Sequence, residues 1–156
     1  MDLSVETVNA VLAGLEDSSV LTCVHLCHSH GEGYEASEAA ASLLHRAVGL
    51  YQAGRLAMEF SSPAAAAMQR LDDPHVIIAL GVVDTTTIAV EPADAIVARV
   101  ERAMRHLPAS RISINPDCGF ATSAKGDGSL DAAFEKLSSM ATAARTLRAK
   151  FAASML

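Results

Sequence analysis

Residues His75–Val83 read HVIIALGVV, and five of these nine residues are β-branched. A short apolar run of this kind, dense in Val and Ile, is typical of a β-strand. Comparable runs at Val20–Cys27, Arg55–Phe60 and Arg111–Asn115 predict three more strands. HVIIALGVV is then the third of four strands, and the rest of the chain is interpreted around it.

Segments with apolar residues at helical spacing separate the predicted strands. The predicted helices are Leu3–Leu15, Ala36–Ala53, Pro63–Leu71, Pro92–His106 and Leu130–Phe151. Strands that alternate with helices of this length imply βα units and a parallel sheet. Lys125–Ser129, which contains two glycines, is predicted to be a loop after the fourth strand.

Four strands are half the number in a (β/α)8 barrel, and a complete barrel usually needs about 200 residues or more. We therefore expect one α/β domain over residues 1–156, folded as half of such a barrel or as a small four-stranded layer. A half-barrel leaves two open sheet edges and one uncovered apolar face. A homodimer or a second, complementary chain is expected to cover them.

The composition restricts the classes of partner. A formal net charge of −6 with scattered basic residues argues against nucleic acid, because phosphate binding needs a basic surface. Apolar runs stay far below the ~20 residues that cross a bilayer, and Met1 begins no secretory signal, so we expect a cytoplasmic protein without a membrane partner. Three cysteines, an odd number in such a chain, favour metal ligation or buried thiols over disulfides.

Histidine, cysteine and acidic residues, which can bind a metal or take part in catalysis, lie at the ends of the predicted strands. His25 and Cys27 are two residues apart and share one face of the first strand. Glu59 ends the second strand, Asp84 ends the third, and Cys118 follows the fourth. Because ligands of parallel α/β folds gather at the carboxyl ends of the strands, these side chains are expected to converge.

One imidazole, two thiolates and one carboxylate make a tetrahedral ligand set for zinc. We therefore predict a Zn²⁺ site formed by His25, Cys27, Glu59 and Cys118, with Glu59 as the most exchangeable ligand. An incoming thiol that displaces the carboxylate would be deprotonated by the metal and would become a nucleophile at neutral pH.

Plainer interpretations of the same residues remain open. A His-x-Cys pair on a strand can be coincidence, and a cysteine after a turn is often a small buried hydrophobe. Cys23 is interpreted in this way, as a buried bystander one layer below the site. His28 and His30 could be extra ligands or solvated loop residues, while Asp84 and Asp117 could be ordinary capping or turn carboxylates.

Four motifs, in order, resemble the catalytic domain of cobalamin-independent methionine synthase: HLC at 25–27, MEF at 58–60, GVVD at 81–84 and NPDCGF at 115–120. The resemblance implies a zinc ion held by His25, Cys27, Glu59 and Cys118, and methyl transfer from a folate to homocysteine. It covers only the last four of that family's eight strands and the helix before them. The unmatched half supplies homocysteine-binding residues and much of the folate surface.

The leading hypothesis is a zinc-dependent, thiol-activating methyl or alkyl transferase that works as an assembly. Its substrates would be a small homocysteine-like thiol and a methyl or alkyl donor. Glu59, Asp84 and His30 are the candidate catalytic residues. One alternative is a non-catalytic zinc-binding partner of a split enzyme. Another is a lyase or transferase that joins a thiol to a different electrophile, motivated by the loop at His28–Tyr34; there His28 or His30 would act as the general acid.

Overall fold

The computed structural model describes residues 3–15, 19–26, 50–60, 76–120 and 130–152. Its elements, in chain order, are α1 (Leu3–Leu12), β1 (Cys23–Leu26), β2 (Arg55–Glu59), β3 (Ile77–Val83), α2 (Ala93–Ala103), a 3₁₀ turn (Ala109–Arg111), β4 (Ile112–Pro116) and α3 (Leu130–Ala152). Each of the four predicted strands has a counterpart. No helix within these residues has both the length and the hydrophobicity needed to cross a membrane.

The four strands form a single sheet in the order β1-β2-β3-β4, and every neighbouring pair is parallel. The predicted α/β fold with a parallel sheet is confirmed. In the part of the chain that the structure describes, β1 and β4 each have one neighbouring strand and are the edges of the sheet. Whether residues 1–156 form one domain stays a prediction.

β3 lies at the centre of the hydrophobic core. Its alternate residues Ile78, Leu80 and Val82 have no exposed surface. Apolar side chains of the two long helices pack in the same cluster, namely Ile96 and Val100 of α2 with Ala143 and Leu147 of α3. Burying a side chain as large as Leu or Ile stabilises the fold by about 1.5–3 kcal/mol, so this layer holds the helices on one face of the sheet.

α2 begins directly after Pro92, whose carbonyl accepts a hydrogen bond from Ala95 N at 3.0 Å. Proline suits this position because its fixed φ is compatible with a helix start. The predicted helix ran on to His106, whereas α2 ends at Ala103. His106 N donates to Ala103 O at 2.9 Å, so the chain after α2 tightens into turns before Pro108.

Two other predicted boundaries were wrong. β1 begins at Cys23 and not at Val20, because its pairing starts only where β2 starts, at Arg55. The helix predicted to end at Ala53 does not reach residues 51–53, which are irregular. There Gln52 N donates to the side chain of Asn9 on α1 at 2.9 Å. Residues 36–49, the predicted helix Pro63–Leu71 and the predicted loop Lys125–Ser129 lie outside the described residues.

The opposite face of the sheet mixes small and polar residues with apolar ones such as Ile77, so it is less apolar than was predicted. Because side chains alternate along a strand, the pairing register assigns each residue to a face. Those that point away from the helices are Cys23, His25, Arg55, Ala57, Glu59, Ile77, Ala79, Gly81, Ser113 and Asn115. The candidate site lies at the carboxyl end of this face, which we call the open face because α2 and α3 pack on the other one.

Candidate metal centre

Three of the predicted zinc ligands come together at the carboxyl ends of the strands. His25 Nε2 lies 3.3 Å from Cys118 Sγ, and the Cys118 thiol donates to Glu59 Oε1 at 3.4 Å. One nitrogen, one sulfur and one oxygen atom thus lie within 4.8 Å of one another. Donors bound to one tetrahedral zinc ion are about 3.5 Å apart, because each bond is about 2.0–2.3 Å long. The donor types and their spacing fit this ion.

The sheet register explains why His25 and Glu59 meet. His25 pairs with Ala57, and Glu59 follows Ala57 by two residues, so both predicted ligands point to the open face. Their neighbours Val24, Leu26 and Met58 point the other way and pack in or against the core. Burial of these apolar residues therefore fixes the orientation of the polar ones. A shift of one residue in the register would turn the ligands to the wrong face.

Cys118 reaches the same point from the loop after β4. The pairing of β3 with β4 shifts between Gly81 and Val83, and Asp117 N donates to Val83 O at 2.9 Å. This hydrogen bond holds the chain against the end of β3 for one residue beyond the strand. Cys118 follows, half-buried, beside Glu59. The cysteine is thereby attached to the sheet through its preceding residue.

The other predicted site residues either lie outside the described residues or are not part of this group. Cys27 and His30 lie outside the described residues, as does His28. Cys23 was predicted to be buried, and this was wrong: its thiol is exposed, because it begins an edge strand on the open face. It is also not one of the three grouped donors.

Asp84 takes part in a turn. Its Oδ1 accepts hydrogen bonds from the backbone N of Thr86 at 2.7 Å and from the Thr86 hydroxyl at 2.6 Å. Such a carboxylate stabilises the start of a loop, as one of the interpretations of the sequence held. The three grouped metal-capable residues do not include Asp84, and its catalytic role stays a prediction.

A buried cluster of charges that was not predicted supports the loop after β3. The ammonium group of Lys136, a residue of α3, lies 3.1 Å from Glu91 Oε2 and donates to the carbonyls of Asp84 and Ala89. Arg99 of α2 contacts the other Glu91 oxygen at 3.4 Å, and that oxygen also accepts from Asp84 N at 2.9 Å. Lys136 and Arg99 thus tie both ends of the 84–91 loop to the helices.

A signal for Lys136 was present in the helical spacing. Lys136, Met140, Ala143 and Leu147 follow one another at intervals of four, three and four residues, which places them on one face of α3. Ala143 and Leu147 are buried and Met140 packs against the core. A lysine on the core-facing side of a helix requires buried acceptors, and this requirement pointed to an acidic partner.

The chain is similar to known proteins in sequence and in fold. The family model for the catalytic domain of cobalamin-independent synthase matches residues 24–146. The 5-methyltetrahydropteroyltriglutamate–homocysteine methyltransferase of Paraburkholderia xenovorans (strain LB400) is 44% identical over 73 residues, which are 47% of this chain and 9% of that protein. A B12-independent methionine synthase from Shewanella sp. W3-18-1, solved with selenomethionine, superposes with a TM-score of 0.68 at 16% identity.

The structural superposition covers 97% of this chain and 47% of the Shewanella chain, and at this identity it speaks for the fold alone. The chain therefore spans less than half the length of either relative. The family model, in contrast, extends over most of the chain and includes His25, Glu59 and Cys118. On this ground the chain belongs to the family of the cobalamin-independent synthase catalytic domain.

Proposed function

We propose that this chain forms the zinc-binding, thiol-activating half of a methyltransferase whose acceptor is homocysteine or a similar small thiol. The convergence of His25, Glu59 and Cys118 at one end of the sheet carries the proposal. Membership of the family and the partial match to a homocysteine methyltransferase support it. Cys27 is proposed as the fourth ligand on the basis of the sequence.

Zinc bound there would supply a Lewis acid that lowers the pKa of an incoming thiol. The protein's own part is to space the donors correctly and to take up the proton of Cys118. Cys118 donates its thiol hydrogen to Glu59 Oε1, and the His25 ring nitrogen faces the same sulfur atom. Glu59 is therefore placed to pass the proton of Cys118 on to solvent, so that both residues could bind zinc in their deprotonated forms. We propose that Glu59 is also the ligand that gives way to the substrate.

We propose further that the chain works as an assembly, as a homodimer or with a complementary half-barrel chain. In the part of the chain that the structure describes, β1 and β4 each have only one neighbouring strand. The exposed edge of such a strand can pair with a strand of another chain, so a partner that covers these edges would stabilise the complex. Light scattering at micromolar concentration tests this, since a stable monomer with and without zinc would contradict a homodimer.

Metal analysis tests the zinc site directly. Plasma mass spectrometry of the purified chain is expected to find about one zinc per chain, and Cys118→Ala is expected to lose it. Cys23→Ala is the matched control, because it removes an exposed thiol that is not part of the grouped donors. A wild-type chain without zinc affinity, or a Cys118→Ala variant that keeps full loading, would overturn the proposal.

The spectrum of the cobalt-substituted chain distinguishes a catalytic site from a purely structural one. A structural zinc site is closed by four protein ligands, whereas a thiol-activating site admits a substrate ligand. Addition of homocysteine should therefore change the visible cobalt spectrum if Glu59 gives way. An unchanged spectrum at saturating thiol would favour the alternative, a non-catalytic zinc-binding partner subunit. A cytoplasmic location is part of the proposal, because the site needs reduced cysteines.

A further inference from the structure

Asp117 links the two segments that carry Glu59 and Cys118. It is 3% exposed and lies between β4 and Cys118. Its Oδ1 accepts a hydrogen bond from Phe60 N at 3.0 Å. Phe60 is the residue after Glu59, and Asp117 is the residue before Cys118. One hydrogen bond therefore connects the residue that follows one proposed ligand with the residue that precedes another.

The hydrogen bond is not needed to complete the sheet. Phe60 N already donates to Gly81 O at 2.9 Å, in continuation of the pairing between β2 and β3. The carboxyl oxygen is thus a second acceptor for an amide that already has one. Burying a carboxyl group is unfavourable unless hydrogen bonds offset the loss of water. A role other than pairing the backbone of the sheet would explain why this carboxyl group is buried here.

Gly81 provides the space in which Asp117 sits. A Cβ atom on Gly81 would lie 2.3 Å from Asp117 Oδ1 and 2.8 Å from Asp117 Cα, far inside van der Waals contact. It would also lie 2.7 Å from the carbonyl oxygen of Met58, which is the residue before Glu59. Asp117 therefore packs directly against β3 at Gly81 and is hydrogen-bonded to Phe60, at the end of β2. Its position, and with it the start of the Cys118 loop, is closely determined.

We propose that Asp117 is a positioning residue of the metal centre, which sets the distance between Glu59 and Cys118 through its hydrogen bond to Phe60 N. The inference rests on the proposed function, since it assumes that these residues bind zinc. Groups that orient the ligands of a metal typically change its affinity by 10–100-fold when they are removed. Loss of the Asp117 side chain should act in the same way.

Chelator competition with zinc provides the test. Asp117→Ala is expected to weaken zinc affinity by about 10–100-fold. Asp117→Asn, which keeps an acceptor oxygen at the same position, is expected to stay within about threefold of wild type. The visible spectrum of the cobalt-loaded chains provides a second readout, which a loss of stability alone would not change. Asp117→Ala should lower the intensity of the sulfur-to-cobalt charge-transfer band, and Asp117→Asn should restore it.

Unfolding of the metal-free variants by urea separates a positioning role from a folding role. Ile96→Val, a mild core change in α2, is the control for lost stability and should leave zinc affinity unchanged. Asp117→Ser, whose hydroxyl is too short to reach Phe60 N, replaces the alanine variant if that does not fold. If neither truncation folds, Asp117 is required for the fold and the positioning role is overturned.

The outcomes also separate this inference from the proposed function. A wild-type chain that does not bind zinc contradicts the proposed function. A wild-type chain that binds zinc, with a folded Asp117→Ala variant that binds equally well, contradicts the positioning role alone. An Asp117→Asn variant as weak as Asp117→Ala would also contradict it, because the amide oxygen preserves the hydrogen bond.

Discussion

The ammonium group of Lys136 lies 3.1 Å from the carboxylate of Glu91, and only 1% of the lysine side chain is exposed. The pair connects α3 to the loop that follows β3. Lys136 also donates to two backbone carbonyls of that loop, those of Asp84 and Ala89. A charge can be buried in a folded protein only when its partners compensate for its lost hydration. Removal of one partner therefore leaves the others buried without compensation.

Replacement of Lys136 should therefore be costly. In Lys136→Met the Glu91 carboxylate keeps Arg99, but both carbonyls lose their buried donor. We expect the free energy of unfolding, measured by urea, to fall by about 3–5 kcal/mol. Lys150→Met is the matched control on the same helix, because Lys150 pairs with Glu101 at the surface and such pairs are worth about 0–1 kcal/mol. Equal losses in the two variants would contradict this.

Gly81 is expected to tolerate no side chain. An added Cβ would collide with Asp117 Cα and with the carbonyl oxygen of Met58, and neither of these backbone atoms can move without disturbing the ends of the strands. Gly81→Ala should lower the free energy of unfolding by at least about 1–3 kcal/mol, as overpacking does. Gly14→Ala is the comparison, since a Cβ there would meet no atom within 4 Å. If Gly81→Ala melts at the wild-type temperature, the packing of Asp117 over Gly81 is wrong.

The sheet could be predicted from the sequence because its strands are short apolar runs separated by helical segments. HVIIALGVV led to β3, and the two-residue period placed His25 and Cys27 on one face of the first strand. Convergence of His25, Glu59 and Cys118 likewise followed from the carboxyl ends of parallel strands. In these cases local pattern and tertiary structure agree.

Features that depend on distant partners could not be predicted. Nothing in the local pattern near Lys136 shows that Glu91, 45 residues earlier, lies opposite. Cys23 was expected to be buried because a cysteine on a strand usually is, but its strand is at an edge of the sheet. Asp117 resembled a turn residue, and its contact with Phe60 N spans 57 positions. Tertiary neighbours decide these environments.

The two sides of α3 should respond differently to truncation. Leu147 is 8% exposed and packs in the core, whereas Phe134 on the same helix is 73% exposed. Leu147→Ala should cost about 2–5 kcal/mol in the free energy of unfolding, since it leaves a cavity. Phe134→Ala should stay within about 0.5 kcal/mol in a dilute monomer. Urea titration of both variants measures these free energies. A loss larger than about 0.5 kcal/mol for Phe134→Ala would show that this side of the helix is covered.

Stabilisation by zinc should depend on His25 and not on histidines elsewhere. Zinc that binds only the folded chain raises the free energy of unfolding by about 4 kcal/mol at 1,000 times its dissociation constant. His25→Ala removes one of the grouped donors. If it weakens binding 100-fold, about 2.7 kcal/mol of that gain is lost at the same zinc concentration.

His106→Ala is the matched control for this measurement. His106 lies in the turn after α2, is exposed, and is not among the grouped donors. Thermal melts of the metal-free and zinc-loaded forms should therefore show the full zinc-dependent rise in melting temperature for this variant, and a much smaller rise for His25→Ala. An equal rise in both variants would remove His25 from the ligand set. Binding would then have to rest on other donors, and the open face of β1 would have no part in it.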